Sequence, residues 1–367
     1  MEDLEMKNLF QNAYHRRRVL VTGHTGFKGS WLSFWLSQMG ADVYGYSLAP
    51  ETRPNHFSLL NPGDETPETD IRDIRQVIDC FQSFQPEIVF HLAAQSLVRR
   101  SYREPLDTFA ANVMGTANIL EACRLTKSVR AVVIVTSDKC YQNNEWEWGY
   151  RESDPMGGHD PYSASKGCAE LVTAAFRNSF FSTGTGHPAL MATARAGNVI
   201  GGGDWAEDRL IPDVARAFNK KETMKIRNPH GLRPWQHVLE PLSGYLMLGQ
   251  RLIEGDRGLA DAWNFGPSEE DTLPVITLLK RLKTHWSDLD FDVDQQPDQP
   301  HEAGLLRLDS SKARRKLGWQ PVWNCDQALE RTAAWYQAFY NQATILTGAD
   351  LAAYIESARS KGLPWAQ

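Results

Sequence analysis

The sequence predicts an α/β fold, a doubly wound parallel sheet joined to a smaller, discontinuous C-terminal domain. Three observations predict it. Short apolar runs alternate with helix-length amphipathic stretches from Arg18 to about Val199. Three glycines fall between the first run and the first helix, and the rhythm breaks at Gly201-Gly202-Gly203. Strands buried on both faces read as near-continuous apolar runs, and spacing them by helices gives parallel pairing.

The expected strands are RVLVT (18–22), DVYGYS (42–47), EIVFHLA (87–93), RAVVIVTS (130–137) and LMATARAG (190–197). In FKGSWLSFWLSQM, Phe27, Trp31, Trp35 and Met39 recur at i, i+4 on one helical face. The first domain is expected over 16–199, with 234–262 packing back on it. Residues 200–233 and 263–367 are expected to form the second domain, and the first 15 or so residues a loosely attached arm.

The chain is 42% hydrophobic and 23% charged with a formal net charge of −6. Such a balance gives no electrostatic reason to expect nucleic acid or a membrane as the main partner. The five cysteines, Cys80, Cys123, Cys140, Cys168 and Cys325, are scattered without a CxxC pair. They suggest neither a disulfide framework nor a zinc site, and the ten histidines show no HExxH, so no metal is expected. The N-terminal stretch has acids where a signal peptide carries its positive region, and no segment approaches the roughly 20 apolar residues of a membrane span. The expected compartment is the cytoplasm.

Gly23, Gly26 and Gly29 in VLVTGHTGFKGS (19–30) suit a dinucleotide. The first permits a tight turn, the second lets backbone approach a pyrophosphate, and the third allows close helix packing, with free N–H groups facing the phosphates. Three glycines can also merely punctuate a loop; the strand before and the helix after favour the cofactor. The acid that would hold an adenosine ribose is missing, with Ser47 in its place, and Arg53 nearby would suit a 2′-phosphate. The residues alone therefore leave NAD against NADP open.

Tyr162 and Lys166, four apart in PYSASK, share one helical face, and Pro161 suits a helix start. A tyrosine with a pKa near 10 is a poor base until a lysine cation stabilises the phenolate. YxxxK alone is a chance pattern. Behind a glycine-rich turn and a strand ending in Thr136 it gains weight. VTSDKCY (135–141) then sets an acid, Asp138, beside a base, Lys139, either as a solvated ion pair or as a proton donor and acceptor.

TGHTGFKG (22–29), DIRD (70–73), HLAAQ (91–95), NVMGTANIL (112–120), TSDK (136–139) and PYSASK (161–166) resemble, in order, the extended short-chain dehydrogenase/reductase superfamily. RPWQHV (233–238) and LGW-P (317–321) carry the resemblance into the second domain. It implies a Rossmann domain and a nucleotide-sugar-binding domain. Within the superfamily the chain is most similar to nucleotide-sugar 4,6-dehydratases, in particular those that act on CDP-glucose. That implies a lyase of deoxysugar and O-antigen biosynthesis. Its reaction is C4 oxidation with NAD, loss of water across C5 and C6, and hydride return to C6.

The resemblance assigns the cofactor to Gly23, Thr25, Gly26, Phe27, Lys28, Gly29, Asp70, Ile71, Leu92, Ala93, Ala94, Asn112, Tyr162 and Lys166. It assigns catalysis to Thr136, Asp138, Lys139, Tyr162 and Lys166. Thr136 is expected at the sugar 4-hydroxyl and Asp138 at the departing C6 hydroxyl. Lys139, standing where relatives carry glutamate, is expected to take the C5 proton or steady the enolate. Gln95, Ser96, Asn198, Arg209, Leu210, Arg233 and His301 are expected to hold the nucleotide sugar, the arginines by pairing with its phosphates. A homodimer through a four-helix bundle of helices 106–125 and 162–182 is implied. A 4-epimerase, a dehydratase of another nucleotide-glucose and a non-catalytic cofactor sensor are the competing readings. The Asp138-Lys139 pair speaks against an epimerase, and the retained Tyr162–Lys166 pair against a sensor.

Overall fold

The computed structural model describes residues 6–61, 63, 68–184, 186–293 and 304–367. Strands β1 (Arg18–Thr22), β2 (Asp42–Tyr46), β3 (Ile88–His91), β4 (Ala131–Val135), β5 (Leu190–Ala196) and β6 (Ala262–Phe265) form one six-stranded sheet. Its order is β6-β5-β4-β3-β1-β2 and every pairing is parallel.

Period-2 alternation divides these strands between two helical layers. Val19, Val21, Phe90, Val133 and Val135 face α1 (Phe27–Gln38) and α6 (Leu239–Ile253). Leu20, Val89, Val132, Ile134 and Met191 face the opposite way, into the cluster of α2 (Ile74–Phe84) and α3 (Thr116–Leu125). Helix α4 (Pro161–Phe180) packs beside α3 on that second face. A separate apolar cluster joins Trp205, α5 (Leu210–Lys220), α7 (Val275–His285) and α8 (Cys325–Gln342). The segment 313–323 and the C-terminal helix α9 (Thr347–Ser360) bury Trp319, Trp323 and Tyr354 in the α1/α6 layer.

The N-terminal segment is not a loose arm over its described part. Leu9, Phe10 and Tyr14 are buried, Phe10 stacks on Trp365 at 5.1 Å, and the Tyr14 hydroxyl donates to the Leu246 carbonyl at 2.5 Å. Its anchors lie at the far end of the chain, where sequence proximity gives no sign of them. Among the described residues no helix is long and apolar enough to cross a membrane.

Glu240 fastens the C-terminal segment to α6. Its carboxyl is fully buried and accepts hydrogen bonds from the Val322 N–H at 2.8 Å, the Trp323 N–H at 2.7 Å and the Tyr354 hydroxyl at 3.0 Å. Burial outweighs these bonds and lifts its pKa to about 7. An unfolded glutamate titrates near pH 4.3, so from there to about pH 7 the folded chain binds the extra proton. The Glu240 contribution is therefore complete at low pH and is lost as pH rises through about 7. Denaturant titrations of the wild type and Glu240→Gln should differ more at pH 5 than at pH 8. Equal differences at both would show that this carboxyl does not titrate on folding.

Candidate active site

In the strand order, β2 and β3 lie on opposite sides of β1, so a crevice opens between the C-terminal ends of β1 and β3. A cavity of about 1090 Å³ occupies it, large enough for two nucleotide-sized ligands. The turn from β1 to α1 forms its floor. Gly23 has φ +72°, and a Cβ there would sit 2.7 Å from the Ala93 nitrogen. At Gly29 a Cβ would lie 2.0 Å from the Gly23 carbonyl oxygen, so the third glycine serves the turn itself. No side chain caps the first turn of α1, and its N–H groups are left for an anion.

Thr25, Phe27, Lys28, Leu92, Ala93 and Ala94 line the same cavity. The Thr25 hydroxyl meets Ser47 Oγ at 2.7 Å and donates to the Leu48 carbonyl at 2.9 Å, which fixes the stretch after β2. Arg53 is exposed and outside the lining. Asp70 and Ile71 are in it, but Arg72 clamps the Asp70 carboxylate with bonds of 2.8 Å from Nε and 2.6 Å from a terminal nitrogen. Burial pushes the Asp70 pKa up, yet the Arg72 bonds win and hold it below the usual carboxylate range.

Two expectations need correction. Asn112 is not part of the lining. Its amide accepts from the Gln95 N–H at 2.8 Å and donates to the Gln95 carbonyl at 2.9 Å and to Ser165 Oγ at 2.8 Å. A side chain so fully engaged shapes the β3 loop without reaching a ligand. Thr136 borders the cavity, but its hydroxyl donates to Glu170 Oε1, inside the protein. The reason is alternation: Thr136 follows Val132 and Ile134 on the α4 side of the sheet.

The hydroxyl that meets Tyr162 is that of Ser137, the next residue. Its backbone is still extended (φ −164°, ψ 158°), and its Oγ caps the turn Asp138–Cys140 by accepting from the Lys139 N–H at 3.2 Å. Continuing the two-residue period past the strand's end would have identified Ser137 from sequence.

Asp160 starts α4 by accepting from the Ser163 N–H at 2.9 Å, with Pro161 behind it. That start sets Tyr162 and Lys166, both buried, one turn apart beside the end of β4. Lys166 Nζ donates to the Val135 carbonyl at 3.3 Å. Burial lifts the Tyr162 pKa to about 12, opposed by the Ser137 hydrogen bond and Arg209. Lys166 is pulled down to about 8 by burial, with Glu170 opposing the fall.

Asp138 is 1% exposed, and its Oδ1 accepts from Ser137 Oγ at 3.0 Å. Its Oδ2 is buried with no hydrogen-bond partner, a costly state for a carboxylate. Lys139 is half-buried and lines the cavity. No ion pair joins it to Asp138 among the described residues, so mutual neutralisation does not account for the two charges.

On the other side of the cavity lie Gln95, Ser96, Asn198, Arg209, Leu210 and Arg233. Arg209 donates to Ser96 Oγ at 2.9 Å and to Asp204 Oδ2 at 3.0 Å. Arg233 is buried beside the Gly304 carbonyl. His301 lies outside the described residues. Lys225 and Arg227, which the sequence reading overlooked, also border the cavity. Lys28, pushed down to about 7 by burial and then by Arg209, Lys166 and Lys139, sits among these cations, with Asp138 acting in the opposite sense. Such a concentration of positive charge suits a phosphate-bearing ligand. Among the described residues no group of three or more His, Cys, Asp or Glu is placed to hold a metal.

The chain is 51% identical over 333 residues to a CDP-glucose 4,6-dehydratase of Salmonella typhimurium, covering 90% of this chain and 93% of that one. Among solved structures it superposes on dTDP-glucose 4,6-dehydratase of Bacillus anthracis in complex with NAD. That match has TM-score 0.71 and 18% identity, over 89% of this chain and 98% of that one. It superposes equally on the UDP-glucose 4-epimerase of Thermus thermophilus in complex with NAD. There the TM-score is 0.72 and the identity 24%, over 89% of this chain and 100% of that one. The fold is thus shared by dehydratases and epimerases and does not by itself choose between them. The family model described as GDP-mannose 4,6 dehydratase matches residues 20–332, and the chain belongs to that family of nucleotide-sugar enzymes.

Proposed function

We propose that the protein is an NAD-dependent CDP-glucose 4,6-dehydratase. The observation that carries this is the buried, unpartnered Asp138 Oδ2 within the Ser137–Tyr162–Lys166 group, in a chain half identical to a CDP-glucose enzyme along nearly its whole length. The cofactor's place is the glycine turn and the open first turn of α1, a cradle that a Cβ at Gly23 or Gly29 would fill. Bound there, NAD would accept hydride from C4 of the sugar and give it back at C6. Arg53, the residue that could have favoured a 2′-phosphate, stands away from the cavity, which supports NAD over NADP.

Tyr162 takes the proton of the 4-hydroxyl, steadied by the Ser137 hydroxyl and the Lys166 cation. The 4-ketone acidifies the C5 proton. Lys139 removes that proton, Asp138 protonates the departing C6 hydroxyl so that water leaves, and as hydride returns to C6 Lys139 gives its proton back to C5. A 4-epimerase needs no acid at C6 and would have no use for a carboxylate kept buried at this cost. Arg209 and Arg233 pair with the diphosphate, and Asn198 and Leu210 border the nucleotide. The five cysteines stand free, in keeping with the reducing cytoplasm.

The exposed apolar side chains Leu106, Met114 and Leu171 belong to the segment leading into α3 and to α4. We place a homodimer interface there, built from this pair of helices and its twin. Leu171→Asp should convert a dimer into a monomer by light scattering, and a wild type that is already monomeric would remove the interface.

The purified protein, offered CDP-, UDP-, dTDP- and GDP-glucose with NAD, should form the 4-keto-6-deoxy sugar from CDP-glucose by preference. Deuterium at C4 should appear at C6. No product from CDP-glucose would overturn the substrate, and product without the label at C6 would overturn the mechanism. In Lys139→Met, mass spectrometry should find 4-keto-glucose nucleotide that still carries its C6 hydroxyl. Elimination should fall on the order of 10²-fold or more. Normal elimination in that variant would remove Lys139 from the chemistry.

A further inference from the structure

One buried acid in this region has no part in the reaction just described. Glu170 lies one turn beyond Lys166 and two beyond Tyr162 on α4, and it is 4% exposed. Its Oε1 accepts from the Thr136 hydroxyl at the end of β4. Its Oε2 accepts from Thr193 Oγ1 at 2.7 Å and from an Arg195 terminal nitrogen at 2.8 Å, both on β5. Helix α4 therefore grips two adjacent strands through a single carboxylate.

Arg195 carries the connection onward. It donates to the Tyr141 hydroxyl at 2.7 Å and lies 5.0 Å from the centre of that ring. The Tyr141 hydroxyl in turn donates to Asn264 Oδ1 at 2.7 Å, on β6. Tyr141 directly follows the Asp138–Cys140 turn and itself lines the cavity. The network thus backs both the helix bearing Tyr162 and the turn bearing Asp138 and Lys139.

We propose that Glu170 is a positioning residue of the active site, holding α4 in register with β4 and β5 and setting a negative charge behind the Lys166 cation. The proposal rests on the reading of Tyr162 and Lys166 as the proton-transfer pair. The groups around Lys166 come from several elements. Glu170 on its own helix and Cys140 on the turn after β4 act on Lys166, and Lys166 in turn acts on His91 of β3 and Lys28 of α1. Arg195, on β5, is paired with Glu170. Among them Glu170 is the carboxylate. Hydrogen bonds from Arg195, Thr136 and Thr193 outweigh its burial and keep it ionised, and it opposes the loss of the Lys166 proton. Without that charge Lys166 gives up its proton at lower pH, and the support for the Tyr162 phenolate goes with it.

The test is the pH dependence of turnover with CDP-glucose and NAD. In Glu170→Gln, which keeps the size and an acceptor oxygen, the alkaline limb should move to lower pH by about 1 unit. The substrate KM should change little. Thr193→Val, which loosens the same network without removing charge, should lower the unfolding midpoint and leave the limb in place. If Glu170→Gln does not fold, the double variant Glu170→Gln/Arg195→Met, which leaves no lone charge from this pair, should displace the limb in the same direction but by less, because a cation leaves with the carboxylate. A folded Glu170 variant with the wild-type profile would overturn the proposal, as would Thr193→Val moving the limb equally. An inactive wild type would instead count against the dehydratase reading, so the two failures are distinct.

Discussion

The interaction on which the site depends is the buried Glu170–Arg195 ion pair. Taking two charges out of water costs several kcal/mol each unless the remaining valences are met. Here the carboxylate is fully met, with three donors on two oxygens. The guanidinium is nearly so, its Nε alone lacking a partner. The pair sits where α4 crosses the C-terminal ends of β4 and β5. It turns a helix that could slide on an apolar sheet into one with a fixed register. A one-turn slip would carry Tyr162 about 5.4 Å along the helix axis, away from Ser137.

That register explains the division of labour at the end of β4. Val135 offers its carbonyl to Lys166, Thr136 offers its hydroxyl to Glu170, and Ser137 turns toward Tyr162 and the cavity. Three consecutive residues meet three residues spaced by one helical turn on α4. The order along the helix is not the order along the strand: Ser137, furthest along the chain, meets Tyr162 at the start of α4, while Thr136 meets Glu170 two turns on.

Much of this was legible in the sequence. The glycine turn, five strands of the sheet and the Tyr162–Lys166 pair depend on local patterns of period 2, 3.6 and 4, and the structure places them at those positions, whereas the sixth strand, Ala262–Phe265, falls almost wholly in the stretch that the sequence assigned to the second domain. What was misread depended on distant partners or on orientation. Thr136 carried the expected hydroxyl but on the wrong face, and the Asn112 amide is consumed by the backbone of Gln95. The N-terminal segment looked detached because its partners, Leu246 and Trp365, lie more than half the chain away. Glu170 reads as one more polar residue of an amphipathic helix until Thr136, Thr193 and Arg195 are seen around it.

The Asp138-Lys139 pair gains its meaning from geometry that adjacency alone hides. In a tight 3₁₀ turn successive side chains diverge by about 120°, so neighbours in sequence do not face each other. Asp138 is directed inward, with Ser137 on one oxygen and nothing on the other, while Lys139 stays half-exposed at the cavity wall. An ion pair between them would have engaged each side chain with the other rather than with a substrate. Kept apart, each can meet a different atom of a ligand in the cleft. Lys139 stands at the cavity wall near the cations Lys28 and Arg209, and the buried Asp138 Oδ2 has no hydrogen-bond partner within the chain. An elimination needs this arrangement, a base and an acid acting on neighbouring carbons, and it separates dehydration from the simple oxidation that the rest of the site would already perform.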